Sequence, residues 1–205
     1  MNEVALYSLP SCFGQTDPLP TNLRFIALDV ETAAYDVASI CQIGLAFVGF
    51  DGAITTHSAY IDPQMPFAAG NTRLHGISAT TVQNAPSFAD ILPDLRPVLE
   101  AIPLVQHSRF DEKAFDAACR QADLPILKSR WSDSVAIARQ AWPELKGNGG
   151  HGLANLKQVL NLQFKHHDAG EDARAAAQVV LKAEAAMGRK IHWLNAAQQL
   201  AFNFG

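Results

Sequence analysis

The residues best placed to do chemistry in this 205-residue chain are acids at the ends of apolar runs. Phe25-Ile26-Ala27-Leu28-Asp29-Val30-Glu31-Thr32 reads as a strand that ends in two carboxylates. Alternate side chains of a strand share a face, so Asp29 and Glu31 point one way while Ile26, Leu28 and Val30 point the other. Two half-buried carboxylates side by side cost several kcal/mol unless something cationic lies between them, and a divalent metal meets that need. A lone Asp-x-Glu also fits a solvated acidic turn, so the weight of the reading falls on residues downstream. Asp111 stands where a strand passes into a helix, and Asp172 stands near the start of the last long helix. His167 precedes Asp172 by five residues, about 140° around a helix, so the two cannot share a helical face. His167 is therefore expected in the loop before the helix, with Ala169-Gly170 as the break, where it can swing over the acids as a general base. His166 is expected to face solvent.

The elements that must position these groups follow from the pattern of apolar residues. Ile40 to Phe50 and Ala53 to Ile61 are β-favouring runs joined by Asp51-Gly52, a hairpin signal, and with the first strand they predict an antiparallel meander. Met65 to Ala85 is loop-like with a short helical turn. Phe88, Ile91, Leu92, Leu95, Val98 and Leu99 recur at helical spacing, with Pro86 near the helix start. Ala101 to Gln106 predicts a short buried strand and Ser108 to Ala122 a helix, which puts Asp111 beside the carboxyl end of a central strand, where α/β sheets place their ligands. Trp131 to Trp142 reads as a helix ended by Pro143, and Leu153, Leu156, Val159 and Leu160 mark another after a glycine-rich loop. The last helix, about Glu171 to Met187, is rich in alanine, whose small side chain allows close packing on a sheet. Three strands followed by strands alternating with helices give an α/β fold with a mixed sheet flanked by helices.

Composition sets outer limits. A chain of this length, 48% hydrophobic, fills one core, and we divide it into an irregular lead-in (residues 1–22), one domain (23–190) and a tail (191–205). The longest apolar run is too short to span a bilayer, and the acidic start lacks a signal-peptide n-region, so a cytoplasmic protein with no membrane partner is expected. Cys12, Cys41 and Cys119 are widely spaced, which argues against a disulfide framework or a cysteine zinc site. Net charge is −4, with 3 Lys/Arg against 10 Asp/Glu in residues 1–104 and 13 against 10 in residues 105–205. Charge alone does not point to a polyanion partner; a metal and a local basic surface would have to neutralise one.

Taken together, the motifs resemble the histidine subgroup of the DEDD 3′-to-5′ exonucleases, which includes the proofreading epsilon subunit of bacterial DNA polymerase III. The likeness runs over roughly residues 24–187. Asp29-Val30-Glu31 matches the first motif, Phe110-Asp111 the second, and His167, Ala169 and Asp172 the third, His-x-Ala-x-x-Asp. Leu74-His75-Gly76-Ile77 and Ala85-Pro86-Ser87-Phe88 also look like this family, whereas His107 stands where asparagine is usual. The resemblance implies a ribonuclease H-like fold and two divalent cations about 4 Å apart, Mg²⁺ or Mn²⁺, which hard carboxylate oxygens prefer. It implies that Asp29 bridges both ions, that Glu31 and Asp172 complete the nucleophile-side site, and that Asp111 supports the other. His167 would take a proton from the attacking water, and Thr32, His75 and Phe110 would contact the substrate.

The reaction so implied is removal of 5′-mononucleotides from the 3′ end of single-stranded or frayed DNA. The RNA branch of the family is an alternative, because a 2′-hydroxyl contact made by backbone is invisible in sequence. A non-catalytic module that docks on a polymerase or sliding clamp is another, and retention of all four acids and the histidine argues against it. Gln199-Leu200-Ala201-Phe202-Asn203-Phe204 looks like the short peptides that dock on bacterial sliding clamps.

Overall fold

The sheet is assembled around β1 (Leu23–Thr32). The computed structural model describes residues 7–14, 19–20 and 22–195. Antiparallel β2 (Ile40–Gly49) and β3 (Ile54–Tyr60) lie on one side of β1, and parallel β4 (Leu104–Gln106) and β5 (Trp131–Asp133) on the other, in the order β3-β2-β1-β4-β5. The meander and the first strand beyond it, β4, are those expected. Gly52 in the β2–β3 turn has φ of 85°, a conformation that suits a residue without a Cβ. Flanking helices are α1 (Ala69–His75), α2 (Phe88–Ala101), α3 (Phe110–Gln121), α4 (Ser134–Ala141), α5 (Leu153–Val159) and α6 (Ala169–Met187). No described helix is long and apolar enough to cross a membrane.

Because helices cover both faces of the sheet, β1 is buried almost throughout rather than on alternate residues. Ile26, Leu28 and Val30 pack with Leu92 and Leu95 of α2 and Phe115 of α3. Phe25 and Ala27 meet Ala173, Ala176 and Ala177 of α6 on the other face. That alanine surface lets α6 approach the sheet closely, as its composition suggests. The approach is tightest at Gly44 of β2, where a Cβ would lie 2.0 Å from the carbonyl oxygen of Ala169. Leu9, Phe13 and Leu19 of the lead-in are buried in the first of these cores, and Ile191 and Leu194 in the second. Residues 199–204 of the tail, with their clamp-like pattern, lie outside the described residues.

Two local expectations are corrected. Trp131–Asp133 is strand rather than the opening turn of a helix: Leu104 pairs with Trp131 and Gln106 with Asp133 in parallel register. Helix α4 starts only after Asp133, whose Oδ1 caps it by accepting from Val135 N at 2.8 Å. A three-residue strand is too short to show a period, and its identity comes from its neighbour. Ala169 and Gly170 do not break the last helix but form its first turn, capped by Asp168, whose Oδ1 accepts from Glu171 N at 3.2 Å. Glycine is tolerated there and useful, since a Cβ on Gly170 would sit 3.2 Å from that of Ser58.

Gly44→Ala should therefore drive α6 off β2 and cost about 2–3 kcal/mol, the upper end of overpacking penalties. Urea unfolding checks this, and an unchanged midpoint would show that the close approach is not required.

Candidate active site

Asp29 and Glu31 occupy the face of β1 that looks toward α6, the face of Phe25 and Ala27. Asp172, in the first turn of α6, comes to meet them. One oxygen from each of Asp29, Glu31 and Asp172 lies within 4.8 Å of the others. Asp111 joins from the first turn of α3 through an unfilled place in the sheet ladder. Ile26 N donates to Pro103 O at 2.9 Å on the β4 side of β1. β4 has ended by the level of Val30, whose N–H points the same way, and Asp111 Oδ1 accepts from it at 3.0 Å. The early end of β4 is thus what lets an acid from α3 reach the edge of β1.

This crowding raises the affinity of each acid for protons. Burial, then the charges of Asp172, Asp111 and Asp168, push Glu31 up to about 8. Burial lifts Asp111 to about 7 against the lowering effect of the Val30 N–H. Burial lifts Asp172 to about 6, offset in part by the N–H of His167. Asp29 is raised well above the usual carboxylate range, first by burial and then by Asp111, Asp172 and Glu31. Asp172 Oδ1 is buried without a hydrogen-bond partner among the described residues. Clustered hard oxygens with an unsatisfied buried acceptor fit divalent cations, and Asp29, Glu31, Asp172 and Asp111 are the residues that would hold them.

His167 lies in the loop before α6, as expected, in a left-handed conformation with φ of 66°. Its N–H donates to Asp172 Oδ2 at 2.8 Å, which fixes the loop to the acid cluster. Burial, then the neighbouring His166, lowers its imidazole pKa below the ordinary value, and Asp172 acts against them. It is thus neutral near pH 7, the form a general base needs.

The acids and His167 line a cleft of about 340 Å³, together with Thr32, His75 and Phe110. Phe110 is exposed at the rim, whereas His75 is buried and both its ring nitrogens are engaged. His75 Nδ1 accepts from Ile77 N at 3.0 Å, which leaves Nε2 to donate to Thr32 O at 3.2 Å. His107 is also held structurally. Burial brings its pKa down to about 4; Nε2 donates to His151 O at 3.1 Å, and Nδ1 lies 2.8 Å from the Ser134 hydroxyl.

His166 does not face solvent as expected. It is half-buried in the cleft, its Nδ1 3.4 Å from Asp172 Oδ2 and its ring centroid 4.1 Å from that of His167. The left-handed turn at His167 brings both rings to the same side, which a loop reading from sequence could not foresee. Asn71 and Leu74 of α1 also line the cleft without having been singled out. Asn71 Nδ2 donates to Thr32 O at 2.8 Å and to Ala34 O at 3.2 Å, tying α1 to the end of β1. No spacing in the sequence marks that link.

Residues 26–180 match the RNase T exonuclease family model, and the chain belongs to that family, a family of hydrolytic exonucleases such as its three motifs led one to expect. Among curated relatives it is 27% identical over 162 residues to the PolC-type DNA polymerase III of Caldanaerobacter subterraneus subsp. tengcongensis, covering 78% of this chain and 11% of that protein. The chain thus spans only about a tenth of the length of such relatives. Exonuclease X in complex with 5′ overhanging duplex DNA shares the fold, with a TM-score of 0.63 and 20% identity over 84% of this chain and 98% of that one. The nuclease domain of 3′hExo, a DEDDh family member bound to rAMP, does so with a TM-score of 0.64 and 15% identity over 82% of this chain and 94% of that one. The family is divalent-metal-dependent.

The raised carboxyls predict how metal and pH act on stability. A carboxyl that holds its proton more tightly when folded loses stability as pH rises toward its folded value, about 8 for Glu31. The lowered histidines act oppositely below about pH 6.5, their unfolded value, so the acids dominate between about 6.5 and 8. Metal-free protein should melt at a lower temperature at pH 8 than at pH 6.5. Mg²⁺ or Mn²⁺ should raise the melting temperature more at pH 8, because ligation needs deprotonated acids. Calorimetry with and without chelator measures both, and equal metal-induced shifts at the two pH values would show that the acids are not protonated in the metal-free cleft.

Proposed function

We propose that this chain removes nucleotides from the 3′ end of single-stranded or frayed DNA, releasing 5′-mononucleotides, with two Mg²⁺ or Mn²⁺ ions as cofactors. The observation that carries the reading is the convergence of Asp29, Glu31, Asp111 and Asp172 from three elements on one cleft with a neutral histidine at its edge. When bound, the cations would neutralise the phosphate and stabilise the attacking and leaving oxygens. Asp29 would serve both cations, Glu31 and Asp172 would complete the nucleophile side and Asp111 would support the leaving-group side. His167 takes the proton of the attacking water, and its backbone tie to Asp172 keeps it beside the site. Phe110, exposed at the rim, offers a face on which the terminal base can stack, and Thr32 and His75 shape the wall around it.

DNA is favoured over RNA as substrate because the curated relatives reported above are PolC-type DNA polymerases III. By the same similarity we propose that the domain acts in the cytoplasm alongside a polymerase; a sliding clamp as a further partner is suggested by the pattern of residues 199–204.

An end-labelled ladder assay on single-stranded DNA, mismatched duplex and RNA, each with Mg²⁺, tests polarity and substrate together. Shortening from the 3′ end of DNA is expected, and degradation of RNA alone would overturn the assignment. Asp29→Ala should abolish hydrolysis while the metal-free protein melts at a higher temperature than wild type at pH 8, since a repelling charge is gone. Near-normal turnover by that variant would refute the two-cation arrangement.

His167→Ala should cost about 10²- to 10⁴-fold in rate, the usual worth of general-base catalysis, with metal binding largely kept. Single-turnover kinetics beside a metal titration separates the two effects. A near wild-type rate would make His167 a bystander.

A further inference from the structure

We propose that His166, His167 and Asp172 form a second cation site, suited to a transition ion of the zinc type rather than to the ions of the acid cluster. One ligand atom from each lies within 4.8 Å of the others. His166 Nδ1 is 3.4 Å from Asp172 Oδ2. That matches the separation of about 3.3 Å between ligand atoms of a tetrahedral zinc with bonds near 2.0–2.1 Å. Small side-chain rotations bring in the remaining nitrogen, because the two rings already stand 4.1 Å apart at 47°.

The unsatisfied atoms in this corner point the same way. His166 Nδ1 and Asp172 Oδ1 are both buried with no hydrogen-bond partner among the described residues. Leaving buried polar atoms unpaired is costly, and a cation between them would satisfy both. The frame is held in place: Asp172 is anchored by the His167 N–H, and the His166 ring packs 5.8 Å from that of Phe164. Two imidazoles and one carboxylate with an open fourth position favour zinc-type ions, whereas Mg²⁺ prefers oxygen alone.

Asp172 belongs both to this triplet and to the group formed with Asp29 and Glu31. An ion in the corner therefore takes a carboxylate from the acid cluster and the lone pair from His167. Where this rests on the function proposed above, zinc-type ions switch hydrolysis off in the presence of Mg²⁺.

The test is calorimetric titration of Zn²⁺ into the full chain in excess Mg²⁺, with the histidine ring nitrogens followed by NMR. One Zn²⁺ is expected, moving the ring signals of both His166 and His167. His166→Phe, which keeps a ring against Phe164, should weaken Zn²⁺ binding at least tenfold, as should His166→Gln, with melting curves confirming that each folds. Equal Zn²⁺ affinity in wild type and folded variants, absence of ring shifts in the wild type, or no binding in excess Mg²⁺ would each overturn the proposal. The readout is binding, so a chain that fails to cut DNA yet passes this test would refute the hydrolytic reading and leave the cation site standing.

Discussion

Mutual repulsion among four carboxylates in a partly buried cleft is the constraint on which the rest of this molecule depends. Burial raises the proton affinity of Asp29, Glu31, Asp111 and Asp172, neighbouring acids add to it, and without a cation the fold must hold the four together against that repulsion. It does so with fixed hydrogen bonds. Asp111 is held by Val30 N–H and Asp172 by His167 N–H, so two of the acids are fixed by backbone donors at 3.0 and 2.8 Å. Such donors stabilise the charged form and offset part of the burial cost. The strain that remains makes the cleft a receptor for positive charge, as functional sites commonly trade stability for activity.

Holding the acids in register requires α6 to lie close against the sheet along its length. At its start Ala169 N donates to Gln42 Oε1 at 3.1 Å, and Gly44 leaves room for the Ala169 carbonyl. Near its far end Glu184 is paired with Arg24 of β1, where Nη1 donates to Oε2 at 2.9 Å, and it also accepts from Ile191 N at 2.8 Å. Both charges of that pair are buried, and Lys190 Nζ also lies 3.3 Å from Glu184 Oε2. Alanines between these points bury less apolar area per residue than leucines would. What they provide is a short distance between helix and sheet, and Asp172 needs that distance to reach Glu31.

Most of this arrangement was legible because strongly periodic segments carry their own structure. The six long elements β1, β2, β3, α2, α3 and α6 follow from apolar β-favouring runs, helical spacing or alanine content, and the acids stand at the ends of β1, α3 and α6. The parts that escaped are those defined by neighbours. β5 is three residues whose strand character exists only through pairing with β4, and the same residues fit a helical pattern when read alone. Ala169-Gly170 carried a breaker signal that Asp168 overrides by capping the helix one residue earlier. His166 was placed in solvent because nothing local reports the left-handed turn at His167. For β5 and His166 the deciding feature is a distant pairing or a specific backbone geometry that a spacing argument does not detect, whereas the Asp168 cap is local.

The histidines show how such an ambiguity is resolved by accounting for ring nitrogens. His75, His107 and His151 each direct a ring nitrogen at a backbone carbonyl, of Thr32, His151 and Trp142 respectively. A neutral imidazole has one donor and one acceptor; in His75 both are engaged, so protonation would cost a bond, and in His107 both nitrogens face polar partners. Their buried positions enforce that neutrality. His167 differs: its backbone N–H, not its ring, makes the bond to Asp172, and no hydrogen bond among the described residues engages the ring. An imidazole held by its backbone and free at its ring is positioned and still available. Sequence alone presents seven histidines of equal chemical capacity; partner geometry leaves His166 and His167 as the pair in the cleft whose ring nitrogens can still bind a proton or a metal.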